Sequence, residues 1–506
     1  MIDRRVVEAH EAVCADPEDE GLREALAAAW EAADEPERAR FMRLQVERAS
    51  LPRWDARTIG LELEERALLA RHEARWRAEL PTLPGVTWGG FERGLVSSAG
   101  FQSAKDLVDR GPEAVAAAPL TRALSGWPRS KRFPKLPALG RVRQLTLVGA
   151  IYSAKDLGEL GKCPLLDSVR EIDLVDANTR TGLAGLLRSE RLEKLEALRI
   201  PHHQMGNGGM KALVSASLPA LVELRLDCER HHEDVGSGER FLAAFTEKAV
   251  YALSLWPGLQ RLESLDVSGN LVGIDAMRVL LGSPSTPRLR RLRIRRVADD
   301  QWDQDDTLEA LALGPRGALD ELDLGDNDLN PSAAQALAEG PAVQSLKVLR
   351  MDHLRSRSFE LLSSARWRHE VRVLHLDAAA LPSILRTGPR KLHTLVVEAL
   401  PEDDVIAALE TRPLPDLQVL DLSRTSLDDA ALARLGELDL FPSLIELRAR
   451  QTRPAFTRAG AEALASSQLG RQLKSLTTGF AAADRLPQPI PTTVGYGSYR
   501  GPLREL

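Results

Sequence analysis

Residues Leu319–Gly340 read LDELDLGDNDLNPSAAQALAEG and hold one structural unit in compact form. Leu319, Leu322 and Leu324 form L-x-x-L-x-L, and Asn327 and Leu329 close the motif with x-x-N-x-L. The first half alternates apolar and polar residues with period two, the signature of a strand with one buried face. The second half, Ser332 to Leu337, spaces Ala333, Ala336 and Leu337 at helical intervals. One unit is therefore a strand, a turn and a short helix. Such a unit cannot bury its apolar edge alone and needs copies stacked on either side.

The copies are present. Hexamers of the same type begin at Val142, Val169, Leu195, Leu221, Leu262, Leu289, Leu319, Leu346, Val371, Leu392, Leu417, Leu444 and Leu473. Successive spacings are 27, 26, 26, 41, 27, 30, 27, 25, 21, 25, 27 and 29 residues, a period near 27 broken by one insertion. The pattern resembles the leucine-rich repeat family in its longer form, similar to ribonuclease inhibitor, over Gly140 to Gly479. The resemblance implies an α/β solenoid, a horseshoe with one parallel strand and one helix per repeat, here preceded by a mostly α-helical N-terminal domain. Parallel strands about 4.8 Å apart over twelve intervals would make a sheet on the order of 58 Å long.

A chain of 506 residues is too long for one compact core but suits a solenoid, which grows by addition, plus one separate domain. The net charge of −6 is small for this size and marks the chain for neither nucleic acid nor membrane. Cys14, Cys163 and Cys228 stand in no paired spacing, which favours a reducing compartment over a disulfide scaffold. The first twenty residues hold no uninterrupted apolar core of signal-peptide length, and no run approaches the roughly 18–20 apolar residues of a membrane span. A cytoplasmic protein is expected.

Residues 1 to 120 lack the repeat. Helices are expected at Val6–Val13, Gly21–Ala33, Glu37–Ala49 and Leu61–Leu80, with Asp16-Pro17-Glu18-Asp19 as a turn and cap. The run ADPEDEGLREALAAAWEAADEPERARFMRLQ, through Asp16, Pro17, Asp19, Trp30, Pro36, Arg38, Phe41, Arg43 and Gln45, resembles the repeat-companion domain, a bacterial module commonly followed by leucine-rich repeats. Trp76 and the segment Trp88 to Gly94, with its F-x-R-G, extend the likeness. It implies either a folding cap for the open end of the solenoid or a second docking surface. Residues 121–140 read as a linker or degenerate first repeat, with three prolines, Pro128, Pro134 and Pro137, and a basic cluster of Arg129, Lys131, Arg132 and Lys135. The array of about 13 repeats then spans 141–480, and 481–506 is a tail or cap rich in Pro and Gly.

Within L-x-x-L-x-L the apolar residues point inward, so the third, fifth and seventh positions face the concave surface. The fifth position carries Thr146, Asp173, Arg199, Arg225, Asp266, Arg293, Asp323, Arg350, His375, Val396, Asp421 and Arg448. Opposite charges one strand apart form a lateral salt ladder. One strand departs from it: Arg291, Arg293 and Arg295 share the concave face, with Arg296 at the rim and Arg225 and Arg350 at the same level. Guanidinium forks suit carboxylate or phosphate, so these arginines are the first candidate for partner contact, with Asp266 and Asp323 beside them. Trp302, amid Asp299, Asp300, Asp303, Asp305 and Asp306, is a further candidate anchor.

The insertion after Leu226 carries Cys228, His231 and His232, and the preceding repeat carries His202 and His203. Asp176, His202 and Cys228 occupy one position in three successive repeats, which admits a zinc site, a cysteine nucleophile or polar loop residues. No C-x-x-C, H-E-x-x-H, G-x-S-x-G, phosphate loop or dinucleotide glycine pattern occurs. The expectation is a non-enzymatic scaffold without cofactor or metal that binds a protein over the concave face. Nucleic-acid or other polyanion binding through the Arg-rich strand, and an enzyme or metal site around Cys228, stand as alternatives.

Overall fold

The computed structural model describes residues 3–126, 141–151, 154–178, 182–201, 205–228, 247–270, 272, 274–282, 286–297, 307–312, 319–327, 329–352, 356–386, 388–399, 404–450, 456–480 and 484. These divide into two compact units, one of residues 3–52 and 68–270, the other of residues 53–67 and 272–484.

The first unit opens with α1 (Arg4–Ala15), α2 (Glu20–Ala32) and α3 (Pro36–Ser50). Each start is dictated locally. Asp19 accepts from the amides of Gly21 and Leu22 at 2.7 and 3.1 Å, and Pro36 occupies the first turn of α3, where no amide is needed. Asp34, in the left-handed region at φ 64°, turns the chain between α2 and α3. Val13, Leu26, Ala27, Trp30, Ala39, Met42 and Leu95 form one buried cluster. The helix α4 (Arg57–Ala78) follows, its residues from 68 onward belonging to this unit.

Strands begin earlier than the leucine pattern announces. β1 (Val86–Trp88) pairs antiparallel with β4 (Ser98–Phe101), and β2 (Phe91–Glu92) and β3 (Leu95–Val96) form a hairpin between them. The hairpin turn is Arg93-Gly94, with φ 48° and 89°, and a Cβ at Gly94 would sit 2.4 Å from that of Met42, so only glycine fits. The residues of the R-x-x-F-x-R-x-Q segment meet this hairpin. Gln45 accepts from the Gly94 amide at 2.7 Å and donates to the Phe91 carbonyl at 3.3 Å, and the Phe41 ring lies 4.9 Å from Trp76 and 5.6 Å from Phe91.

After α5 (Ala104–Ala117), parallel strands add one per repeat: β5 (Arg122–Gly126), β6 (Gln144–Ile151), β7 (Glu171–Asn178), β8 (Ala197–Arg199), β9 (Glu223–Arg225) and β10 (Ser264–Asp266). The second unit continues the design with β11 (Arg291–Arg293), β12 (Glu321–Asp323), β13 (Val348–Arg350), β14 (Val373–Asp377), β15 (Thr394–Glu398), β16 (Val419–Arg424), β17 (Glu446–Arg448) and β18 (Ser475–Thr477), all parallel in sequence order. The motif leucines pair with one another across strands, Leu292 with Leu322, Leu322 with Leu349 and Leu349 with Leu374, and all four are at most 1 % exposed.

The return path varies. Behind β12 runs the expected helix, Pro331–Glu339, capped by Asn330, which accepts from the Ala333 amide at 2.8 Å; behind β11 the described return is a 3-10 helix, Thr307–Ala312. The motif asparagine explains the turn. Buried Asn327 donates to the carbonyls of Ile294 and Leu324 at 2.7 and 2.8 Å and accepts from the Val297 amide at 3.0 Å, stitching one turn to the strand before it. Asn270, at the same repeat position, donates likewise to Leu226 and Val267. Each unit is thus a leucine-rich-repeat solenoid of mixed α/β class.

Candidate functional site: a charged strand face

Alternation along each strand leaves polar residues on the face opposite the leucines. In the first unit these form the lateral ladder expected from the fifth positions. Arg199 binds Asp173 on the neighbouring strand at 3.1 Å, Glu171 at 2.7 Å and Glu223 at 2.5 Å. Burial alone would favour a neutral Arg199, but these three carboxylates raise its affinity for the proton above the ordinary arginine value. Arg225 pairs with Asp227 at 2.6 Å and Asp266 at 3.7 Å, and the Thr146 hydroxyl donates to Asp173 at 3.0 Å.

In the second unit Arg291 and Arg293 flank buried Leu292 and are themselves partly exposed. Arg295 and Arg296 lie in the turn that follows, Arg296 at φ 45°. Both pair with Asp326, Arg296 at 3.9 Å, and Arg295 reaches Asp323 at 3.8 Å. Burial works to raise the Asp326 carboxyl, but Arg295, Arg296 and Arg350 hold it below the usual range. Arg350 differs from the expectation of a partner-facing arginine: it is 1 % exposed, lying 3.3 Å from Asp352 and 3.9 Å from Asp323. The turn after β12 covers it. A Cβ on Gly325 would stand 2.8 Å from Nε of Arg350 and 2.9 Å from Nε of Arg295, so the backbone passes directly over both guanidinium groups. Asp323, 5 % exposed, and Asp266, 7 %, are likewise internal partners. Trp302 lies outside the described residues.

Beyond Arg350 the charged row continues through Asp352, His375 and Glu398. Each offers one potential ligand atom, all within 4.8 Å of one another, and two carboxylates with an imidazole are a donor set that a divalent cation accepts. These groups already have protein partners. Asp352 accepts from the Asp326 amide and from Arg350, Nε2 of His375 lies 3.2 Å from Glu398, and Arg424 lies 3.4 Å from the same carboxylate. The two carboxylates thus face two guanidinium groups, and the trio reads as part of the ladder.

Burial lowers the His375 pKa, partly opposed by the Glu398 contact, and burial raises that of Asp352. Burial also works to raise Glu398, but His375 and Arg424 bring it down to about 2. The sign for stability follows. Because the His375 pKa is lower folded than unfolded, below about pH 6.5 the unfolded chain takes up the proton first, and stability falls with falling pH. His375→Gln is therefore expected to flatten the loss of urea stability between pH 7 and 5, by up to about 1.4 kcal/mol per pH unit for one proton. An unchanged slope would contradict this placement. His10 and His393, also lowered by burial, contribute to the slope in the same direction.

Cys14 and Cys163 are buried, and burial pushes both thiols up to about 11, away from nucleophilic use. Cys228 is partly exposed and its amide donates to the Ser268 carbonyl at 2.9 Å; His202, His203, His231 and His232 lie outside the described residues.

The sequence pattern gave no notice of what lies on β15 to β17. Residues 53–67, including the start of α4, pack in the second unit. Ile59 and Leu63 bury against Val419, with Ile445 alongside, and Arg66 binds Glu446 at 2.8 Å. His393 lies 2.9 Å from the Trp54 carbonyl and, as donor, engages it through Nε2. Val419 and Glu446 are third-position residues, so a helix occupies the polar face here. The signal was present as Ile59, Leu63 and Arg66 at i, i+4 and i+7, but spacing alone names no receptor.

No family model matches the chain, and no curated protein matches it. Solved structures do match. A chain of the Rad7 and Elc1 complex in yeast is 15 % identical over 87 % of this chain and 95 % of that one, with a TM-score of 0.40. An internalin (inlF) from Listeria monocytogenes str. 4b F2365 is 14 % identical over 73 % of this chain and 94 % of its own, with a TM-score of 0.30. A chain of the TLR13–ssRNA13 complex is 16 % identical over 71 % of this chain at a TM-score of 0.28, and there the match spans 49 % of the other chain. Among the described residues, no helix is long and apolar enough to cross a membrane.

Proposed function

We propose that the protein is a non-enzymatic, cytoplasmic scaffold that binds another protein over its strand face, with the arginines of β11 and its turn at the contact. The carrying observation is the contrast between the two faces of the strands. Within each unit the motif leucines are buried, whereas Arg199, Glu223 and Arg225 in the first unit, and Arg291, Arg293, Asp421 and Arg448 in the second, are partly exposed on the other face, spaced by the strands of their own unit. A pre-ordered row of this kind lowers the entropic cost of association. Each guanidinium offers five donors in a planar fork, a geometry that suits a partner's carboxylate.

The N-terminal part fits the bacterial repeat-companion domain. What supports that reading is the junction of Gln45, Phe41, Trp76 and the Phe91–Gly94 turn, which gives the likeness's separate motifs one shared structural reason.

The test is affinity capture from the source lysate by the intact protein and by Arg291→Glu/Arg293→Glu/Arg295→Glu, with folding checked by circular dichroism. A protein recovered by the intact chain and reduced at least about tenfold by the variant, the equivalent of about 1.4 kcal/mol, is the expected result. Equal recovery would move the site off β11. Recovery of nucleic acid alone, lost in the variant, would replace the protein partner with a polyanion.

A further inference from the structure

The contact of residues 53–67 with β15 to β17 has the properties of a ligand seated in a receptor. We infer that this strand face is a helix-binding site, occupied in cis by the segment Arg53–Ala67, and that the partner it fits is an amphipathic helix with two aliphatic residues four apart and an arginine one turn later. The inference rests on the strand face being a recognition surface, but it concerns a different part of it from β11.

Three observations carry it. First, the complementarity is specific: the aliphatic pair Ile59 and Leu63 meets Val419 and Ile445, and Arg66 meets Glu446, with both charged side chains under 9 % exposed. Second, the receptor side is held together without the segment. Oε2 of Glu446 binds Arg448 at 3.1 Å, and Oε1, which receives Arg66, is also 3.4 Å from the Ser475 hydroxyl. Arg448 in turn lies 3.7 Å from Asp421. Burial would raise the Glu446 carboxyl, but Arg448 and the seated Arg66 hold it below the usual carboxylate range, and Arg448 stays beside it on the receptor side. Third, the seated helix is not optimised for its place. Nε of Arg66 is buried without a hydrogen-bond partner, and Gly60, an exposed position in the first turn of α4, has nothing within 4 Å of an added Cβ. A glycine there lowers helix stability and serves no packing need.

A partner helix of the same pattern would compete with residues 53–67 for β16 and β17, so recognition at this face is gated by release of the chain's own segment. The test uses the full chain. A fluorescent peptide of residues 53–67 carrying Gly60→Ala is titrated by anisotropy into the wild-type protein and into Ile59→Asp/Leu63→Asp, whose own segment can no longer seat. The variant is expected to bind the peptide at least about tenfold more tightly than the wild type, and adding Glu446→Ala is expected to remove at least about tenfold of that gain. Equal binding by the wild type and the variant, no binding by either, or indifference to Glu446→Ala would overturn the inference. Should the double variant unfold, Arg66→Ala gives the same reading by limited trypsinolysis. Cleavage after Arg57 should accelerate about tenfold with the melting temperature of the rest unchanged, and unchanged cleavage would overturn it. Neither readout involves β11, so failure here leaves the arginine contact standing, and failure there leaves this site standing.

Discussion

Arg350→Ala is expected to destabilise the second unit by about 3–5 kcal/mol, read as a fall in its urea unfolding free energy at pH 7. The side chain is 1 % exposed and faces Asp323 and Asp352, which are 5 % and 0 % exposed. Removing the cation takes from fully buried Asp352 its guanidinium partner and leaves Asp323 with Arg295. The pair itself need not be strongly stabilising, since burying it cost desolvation; the large loss comes from leaving half of it behind. Two comparisons separate these terms. Arg350→Lys keeps the charge but not the planar fork, so an intermediate loss is expected. Asp352→Asn added to Arg350→Ala should recover part of the loss, because one stranded charge is gone. A loss under about 1 kcal/mol for Arg350→Ala would mean the guanidinium is solvated and the row ends before β13.

Trp367→Ala is expected to cost about 3–5 kcal/mol, and Trp367→Phe about 1–2 kcal/mol. Trp367 sits in the 3-10 helix Arg366–His369 and is 0 % exposed. Its indole Nε1 donates to the Leu337 carbonyl at 3.1 Å, near the end of the helix behind β12. Alanine opens a cavity between two successive returns and orphans a carbonyl; phenylalanine fills most of the volume and loses only the donor. Urea unfolding of the two variants measures both terms. Equal losses would mean the hydrogen bond outweighs the packing and would contradict the cavity account.

The leucine spacing made the solenoid legible because every repeat obeys one constraint: its apolar residues must face the same core as those of its neighbours. The motif asparagine was legible for a similar reason, since Asn327 and Asn270 satisfy backbone groups that every turn leaves behind. Pairing along the fifth positions, Asp173 with Arg199 and Asp323 with Arg350, followed from register alone. Burial of Arg350 did not, because it depends on how closely the Gly325 turn passes over the strand. The strands between Val86 and Phe101 carry no leucine motif, so period counting passed over them. The docking of Ile59, Leu63 and Arg66 joins residues more than 350 positions apart, a distance at which a single sequence offers no register.

The most direct measurement of the recognition claim is hydrogen–deuterium exchange of the intact protein with and without a protein captured through β11. Bound partner should slow exchange in the turns that carry the arginines and their acids, residues 294–297 and 324–327, and leave the returns 331–339 and 356–362 unchanged. Slowing confined to those returns, with the turns unaffected, would place recognition on the helical side and contradict the account.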